Sequence, residues 1–317
     1  MHVFFMVPFV LFLAIGFSPE SRAKECRPGH SLICPEGKSR LTGRPCRSAC
    51  KPGQDSAKAC LTSIPAAGHS TISCRNIIYH VYMPAGCRAG GCGMIFDVPG
   101  RYMKASTQAA NTRIPSIGNA RGYIVVVPEA PDYDWTDDLY PLVAGFMREA
   151  RDRWDADRDR LHLTGFSQGG AMSWYFACRH SDLVASVAPL SYHSRSWCTA
   201  ADFQNGPVSI LYAHGHEDGI VPWEEGTPAS VNRVLQGTPH EKTSAHVVSS
   251  DNLHTRTRYT TVRGATFDFL EHDYTDGLSR GHCIFGSTES GWFSCNQNVD
   301  QSWGEMAVEF FADHPRP

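Results

Sequence analysis

The sequence has no surplus of positive charge: 29 Lys and Arg stand against 32 Asp and Glu in 317 residues, a formal net charge of -3. Proteins that track a phosphate backbone hold it with clustered Lys and Arg that release counterions, so this balance speaks against a nucleic-acid partner. Charged residues are few, 19%, beside 42% hydrophobic ones. That ratio excludes overall disorder and leaves a chain able to bury a large core. No two cysteines have Cys-x-x-Cys spacing, and no histidine cluster completes four ligands, so neither a metal nor a cofactor is expected. There is no internal repeat and no low-complexity segment.

One apolar run is present, Met1 to Phe17, too short to span a bilayer comfortably and interrupted by Pro8. Ser21 and Ala23 follow at the spacing that signal peptidase accepts, so residues 1–23 read as a removed secretory signal, with a retained signal anchor as the rival. Signal removal would leave no stable membrane anchor and an extracellular or periplasmic protein. All 12 cysteines lie beyond that cut, an even set that fits disulfides in an oxidising compartment. Residues 24–72 hold five of them among Pro-Gly and Arg/Lys-Pro turns, with almost no apolar run long enough for a core strand. Cross-links must hold such a segment together. It reads as a Cys-rich extension, either a cap on the main domain or a segment that contacts a polymer or protein.

Residues 73–317 read as the main domain, in which strands alternate with helices. Ile72–Pro84 reads as one strand; further strands are expected in Gly93–Val98, Gly122–Pro128, Arg160–Gly165, Val184–Leu190, Pro207–Ala213, Arg258–Val262 and Ala265–Leu270. Helices are expected over 139–154, 168–179, 229–236 and 301–312. Alternation of this kind predicts an α/β fold, a mostly parallel central sheet with helices on both faces.

The informative block is Gly165-Phe166-Ser167-Gln168-Gly169, a G-x-S-x-G directly after a strand and before a helix. A hydroxyl is a poor nucleophile unless it is exposed, oriented and next to a base, and a sharp strand-to-helix turn projects Ser167 from the carboxyl edge of the sheet. Asp218 lies in H-G-H-E-D-G-I-V-P-W after a later strand, at the same edge. A carboxylate there can hold an imidazole in the useful tautomer; Glu217 is the neighbouring competitor. Of the six histidines after Asp218, His282 in S-R-G-H-C sits in a Gly-flanked loop after the last expected strand and before the final helix, where the third member of a Ser, Asp, His series belongs. His272 is the second choice, and His214 and His216 read as residues that order the acid loop.

An ester's transition state carries an oxyanion that needs preorganised donors. The backbone N–H of Gln168 at a helix N-terminus is one, and the backbone N–H of Arg101, after Pro99-Gly100, is the other, since Pro99 has none. Trp135, Tyr102 and Trp223, in loops at the same edge, are the candidate stacking surfaces for a substrate. A Cys283–Cys295 disulfide would fix the loop of His282, and Cys178–Cys198 and Cys87–Cys92 pair by proximity in sequence.

These residues resemble a known family. G-F-S-Q-G-G, H-G-x-x-D-x-x-V-P around Asp218 and G-H-C around His282 are similar to the secreted polyhydroxybutyrate depolymerase and feruloyl esterase group of α/β-hydrolases, over about Ile72 to the C-terminus. The resemblance implies an α/β-hydrolase fold and a secreted serine esterase that acts on short polyesters or on feruloyl and acetyl esters of plant polysaccharide. The group usually carries His-Gly where this sequence has Pro99-Gly100. G-F-S-Q-G-G-A-M also looks like acyl-protein thioesterases, a branch typically intracellular and poor in disulfides. A non-catalytic secreted binding protein on the same scaffold is the competing class.

Overall fold

A hairpin opens the fold where one strand was expected over Ile72–Pro84. The computed structural model describes residues 59–316, apart from 205–207, 239, 242–245, 249, 263, 290–292 and 296–298. Residues 1–23 and most of the Cys-rich extension, with Cys26, Cys34, Cys46 and Cys50, lie outside the described residues. β1 (Gly68–Cys74) and β2 (Ile77–Met83) pair antiparallel with Cys74 opposite Ile77. Arg75 and Asn76 form the turn with φ of 51° and 66°, the left-handed pair whose twist matches two joined strands. Apolar residues alternate with period two on both sides of this turn, so the pattern alone hides it. A disulfide joins Cys60 to Cys74.

The chain continues through β3 (Gly93–Val98), α1 (Ala105–Thr112), α2 (Ile114–Ala120), β4 (Tyr123–Glu129), α3 (Tyr140–Arg153), β5 (Leu161–Phe166), α4 (Gln168–Arg179), β6 (Ser186–Leu190) and β7 (Ser209–Gly215). It then forms α5 (Trp223–Gly237), β8 (His240–Glu241), β9 (His246–Val248), β10 (His254–Thr261), β11 (Thr266–His272), β12 (Ile284–Phe285), β13 (Ser294–Cys295) and α6 (Trp303–Asp313). The main sheet runs β1-β2-β4-β3-β5-β6-β7-β11-β10-β8, with β9 also paired to β10. From β4 to β11 every pairing is parallel, and the antiparallel strands sit outside that block. Chain order reverses between β3 and β5, because β4 lies to one side of β3 and β5 to the other. Crevices form outside the carboxyl ends of strands at such a switch point, and both Pro99 and Ser167 follow strands that end there.

Side-chain alternation divides the core into two layers. Ile95, Phe166, Ala188, Leu190, Leu211 and Ala213 pack with Trp303, Val308 and Phe311 of α6 and with Ile114 of α2. On the other face Phe146 of α3 stacks on Tyr79 at 3.6 Å between ring centroids and meets Phe96 edge-on, while Trp174 of α4 meets Tyr212. Buried continuous apolar strands with helices over both faces are what a parallel sheet requires. The fold is therefore the α/β architecture expected.

Two helices were not expected. α1 lacks an apolar stripe, because its buried positions include Gln108, Asn111 and Thr112, and α2 is only seven residues long and buries Ile114, Pro115 and Gly118. Those polar groups have a purpose: Gln108 Nε2 and Thr112 Oγ1 donate to the buried Asp97 carboxyl of β3 at 2.7 and 2.6 Å. α5 starts six residues before the expected 229, with Glu224 and Glu225 in its first turn, where the helix dipole favours them, and with Pro228 inside it. Among the described residues no helix is long and apolar enough to cross a membrane.

Burial pushes the Asp97 carboxyl up from 3.8 to about 7, against the two hydrogen bonds it accepts. The folded chain then holds a proton that the unfolded chain releases above pH 3.8, so this residue's contribution to stability falls as pH rises to about 7 and is level beyond it. Asp97→Asn is expected to raise the melting temperature relative to the parent more at pH 8 than at pH 4.5. Equal differences at the two pH values would show that Asp97 is ionised throughout.

Candidate active site

The turn between β5 and α4 is sterically forced. Ser167 has φ 54° and ψ -118°, a strained conformation for a residue other than glycine. A Cβ on Gly165 would lie 2.4 Å from the carbonyl carbon of Gly169, and one on Gly169 would lie 2.1 Å from the Val98 carbonyl oxygen. Both glycines are thus required by close backbone approach. The turn leaves Ser167 Oγ directed at His282.

His282 Nδ1 lies 2.7 Å from Asp218 Oδ2, and His282 Nε2 lies 2.9 Å from Ser167 Oγ. An ionised carboxylate only accepts, so Nδ1 carries the proton and Nε2 accepts from the serine hydroxyl. All three residues are buried, at 7% exposure for Ser167, 4% for Asp218 and 1% for His282. Burial alone would raise the Asp218 carboxyl, but hydrogen bonds from His214 and His282 hold it well below the usual carboxylate range. Its Oδ1 also accepts the backbone N–H groups of Ile220 and Val221 at 2.9 and 2.7 Å. Glu217, the competitor, is 69% exposed and pairs with Arg280 at 3.5 Å.

His214 orders the acid loop, as its position before Asp218 implied. It is fully buried; Nδ1 accepts from the Tyr212 hydroxyl at 3.0 Å, while Nε2 donates to Val221 O at 2.9 Å and lies 3.3 Å from Asp218 Oδ2. His216 is at the surface and bonds to Asp273 at 2.9 Å. His272, the second choice for the base, is buried with neither ring nitrogen hydrogen-bonded, and burial pushes it down to about 3. It therefore donates no hydrogen bond to Ser167 and accepts none from it.

The Pro99-Gly100-Arg101 loop lies against the nucleophile: a Cβ on Gly100 would be 3.2 Å from Ser167 Cβ. Gln168 is the first residue of α4, where a backbone N–H has no intrahelical acceptor, and the Arg101 N–H has no backbone acceptor among the described residues. Beside this loop a cleft of about 730 Å³ is lined by Tyr102, Lys104, Asn111, Glu289 and Phe293, among others. Phe293, which the sequence reading missed, carries the cleft to the histidine: its ring centroid is 5.8 Å from that of His282 and 5.5 Å from that of Phe166. It lies beyond His282 inside the loop closed by Cys283 and Cys295, but no motif marks the residue itself.

Of the three candidate stacking aromatics, Tyr102 alone lines the cleft, 70% exposed. Trp135 is a correction: it is 2% exposed, so its ring offers no open face, and what it gives the site is a backbone N–H donated to Gln168 Oε1 at 3.0 Å. Trp223 begins α5 and packs against His216 and Phe269, at 4.4 and 5.7 Å between ring centroids, away from the cleft lining. Disulfides join Cys87 to Cys92, Cys178 to Cys198 and Cys283 to Cys295, the last tying the residue after His282 to β13. The Cys60–Cys74 pair was not foreseen, because Cys60 fell in the extension and Cys74 in the main domain. Among the described residues no cluster of His, Cys, Asp or Glu could hold a metal ion.

Fold and site together define an α/β-hydrolase architecture with a Ser, His, Asp hydrogen-bonded series at the carboxyl edge of its sheet. Solved structures of the same fold include an acetyl xylan esterase from Aspergillus awamori, with a TM-score of 0.56 at 10% identity over 78% of this chain and 99% of that one. A thermostable esterase gives a TM-score of 0.52 at 16% identity over 78% and 63%. Among curated proteins the sequence is 30% identical over 111 residues to feruloyl esterase D of Neurospora crassa, 34% of this chain and 37% of that protein. It is 24% identical over 152 residues to a bifunctional acetylxylan esterase/xylanase of Neocallimastix patriciarum, 46% and 22%. The matches cover well under half the length of these curated relatives. No family model matches the sequence. The resemblance read from the motifs thus has its counterpart in relatives that are feruloyl and acetylxylan esterases, at low identity.

Proposed function

We propose that this protein is a secreted serine hydrolase of carboxylic esters, acting on feruloyl or acetyl esters of plant polysaccharide through an acyl-enzyme. The observation that carries the reading is the continuous hydrogen-bonded series from Ser167 Oγ through His282 to Asp218, 2.9 and 2.7 Å long at its two links. In this mechanism His282 Nε2 takes the Ser167 proton as Oγ attacks the ester carbonyl. The Gln168 and Arg101 N–H groups receive the oxyanion, and the imidazolium passes its proton to the leaving alkoxide. Water, activated by the same nitrogen, then frees the acid and restores Ser167. The names of the relatives support the polysaccharide-ester substrate. Four disulfides among the described residues support an oxidising compartment.

A fluorophosphonate probe is expected to add one phosphonyl group at Ser167, found by peptide mass spectrometry. In a hydrolysis panel, methyl ferulate or acetylated xylan should turn over well above polyhydroxybutyrate and an acyl thioester. Labelling elsewhere would refute the serine assignment. A panel led by the polyester or the thioester would move the substrate to that class.

A further inference from the structure

The side chain of Gln168 is engaged away from the helix that its backbone begins. Its Nε2 donates to Asp134 Oδ1 at 2.9 Å, and its Oε1 accepts the Trp135 N–H at 3.0 Å. The other oxygen of the same carboxylate, Asp134 Oδ2, accepts from Arg101 Nη2 at 3.0 Å. One carboxylate therefore bridges the two residues whose backbone N–H groups are the proposed oxyanion donors. The loops also meet along the backbone, where the Tyr102 N–H donates to Tyr133 O at 2.7 Å. Tyr102, Asp132 and Tyr133 all adopt left-handed backbone, with φ of 62°, 52° and 54°. Side chains disfavour that region, and such residues persist where the surroundings over-determine them.

We propose that Asp134 is a positioning residue that clamps the 99–102 loop to the N-terminus of α4 and so fixes the spacing of the two oxyanion donors. The inference rests on the serine-hydrolase reading above. Stability is not what this bridge supplies: the Arg101 and Asp134 side chains are 50% and 31% exposed, and ion pairs so open to water contribute little to folding. Geometry is. An oxyanion donor acts only from about 2.7–3.1 Å of the developing charge. The Arg101 N–H sits on a loop with no helix to hold it, so a contact from outside the loop must set its position.

The test uses p-nitrophenyl acetate and the full chain. Asp134→Ala should lower kcat by about 10- to 100-fold with KM within about twofold, since a misplaced donor of this kind costs rate and not ground-state binding. A boronic acid that bonds to Ser167 and mimics the tetrahedral state should weaken by the same factor. Asp134→Asn, which keeps one acceptor oxygen, should fall between. Arg101→Ala should match Asp134→Ala, and the double variant should lose no more than either single one, because each breaks the same bridge between the loop and α4. The comparably open Arg148–Asp182 pair, at 3.3 Å, supplies the control: Asp182→Ala should leave kcat unchanged. An Asp134→Ala enzyme with parental kcat, a change confined to KM, or additive losses in the double variant would each overturn the proposal. Ser167→Ala in the same assay separates the two levels. Turnover surviving without the hydroxyl refutes the serine reading itself; a dead Ser167 variant beside an unaffected Asp134 variant refutes only the clamp.

Discussion

Ser167→Ala is expected to remove ester hydrolysis and leave the fold standing. The variant loses the oxygen that forms the acyl bond, and removal of the serine from a Ser, His, Asp series costs on the order of 10⁴- to 10⁶-fold in kcat. Folding should be nearly unaffected. The strained φ of 54° belongs to the turn, not to the hydroxyl, and alanine tolerates it no worse than serine. Among the described residues the only side-chain hydrogen bond given up is that to His282 Nε2, while the Asp218 contact continues to hold the ring. A residual rate of about 10³- to 10⁴-fold over water can persist, since oxyanion donors and binding act without the nucleophile. The measurement pairs kcat on a short p-nitrophenyl ester with a thermal melt. Parental turnover in a well-folded variant would end the serine mechanism.

How much of this was legible in the sequence follows from what each signal encodes. Gly165 and Gly169 flank Ser167 because backbone closes on backbone there, and that constraint is written in residue identity. The order Ser167, Asp218, His282 was legible because each follows a strand, and strands in a parallel block deliver their next residues to one edge. The β1–β2 turn was hidden, since Arg75 and Asn76 carry no glycine to mark their left-handed backbone. α1 was hidden because it buries Gln108 and Thr112 against Asp97, where an amphipathic helix carries apolar side chains. Trp135 was misplaced for a related reason: composition says that an aromatic residue lies in a loop, but only packing says whether the loop turns it outward or folds it under. Phe293 and Asp134 were out of reach of any motif. Phe293 enters the site through His282, 11 positions away, and Asp134 through Arg101 and Gln168, 33 and 34 positions away, which no local pattern records.

Asp218→Asn is expected to cost about 10⁴-fold in kcat, through a proton and not through a lost contact. In the parent, Oδ1 accepts the Ile220 and Val221 N–H groups and Oδ2 accepts His282 Nδ1–H. An asparagine must keep its one oxygen toward the two backbone donors, so its amide N–H₂ faces the histidine. Nδ1 then has to accept, its proton moves to Nε2, and Nε2 donates to Ser167 Oγ where it should have accepted. The base is present but in the wrong tautomer. Stability supplies a second readout with a definite sign. Because the folded Asp218 carboxyl is held below its ordinary 3.8, its ionised form stabilises the fold at neutral pH, and that contribution fades as pH falls below about 4. The variant should therefore melt below the parent at pH 7 and approach it in acid. Glu217→Gln, next door but 69% exposed, is the comparison and should retain parental turnover. An active Asp218→Asn enzyme beside an inactive Glu217→Gln one would transfer the acid's role to Glu217 and undo the hydrogen-bonded series on which the mechanism stands.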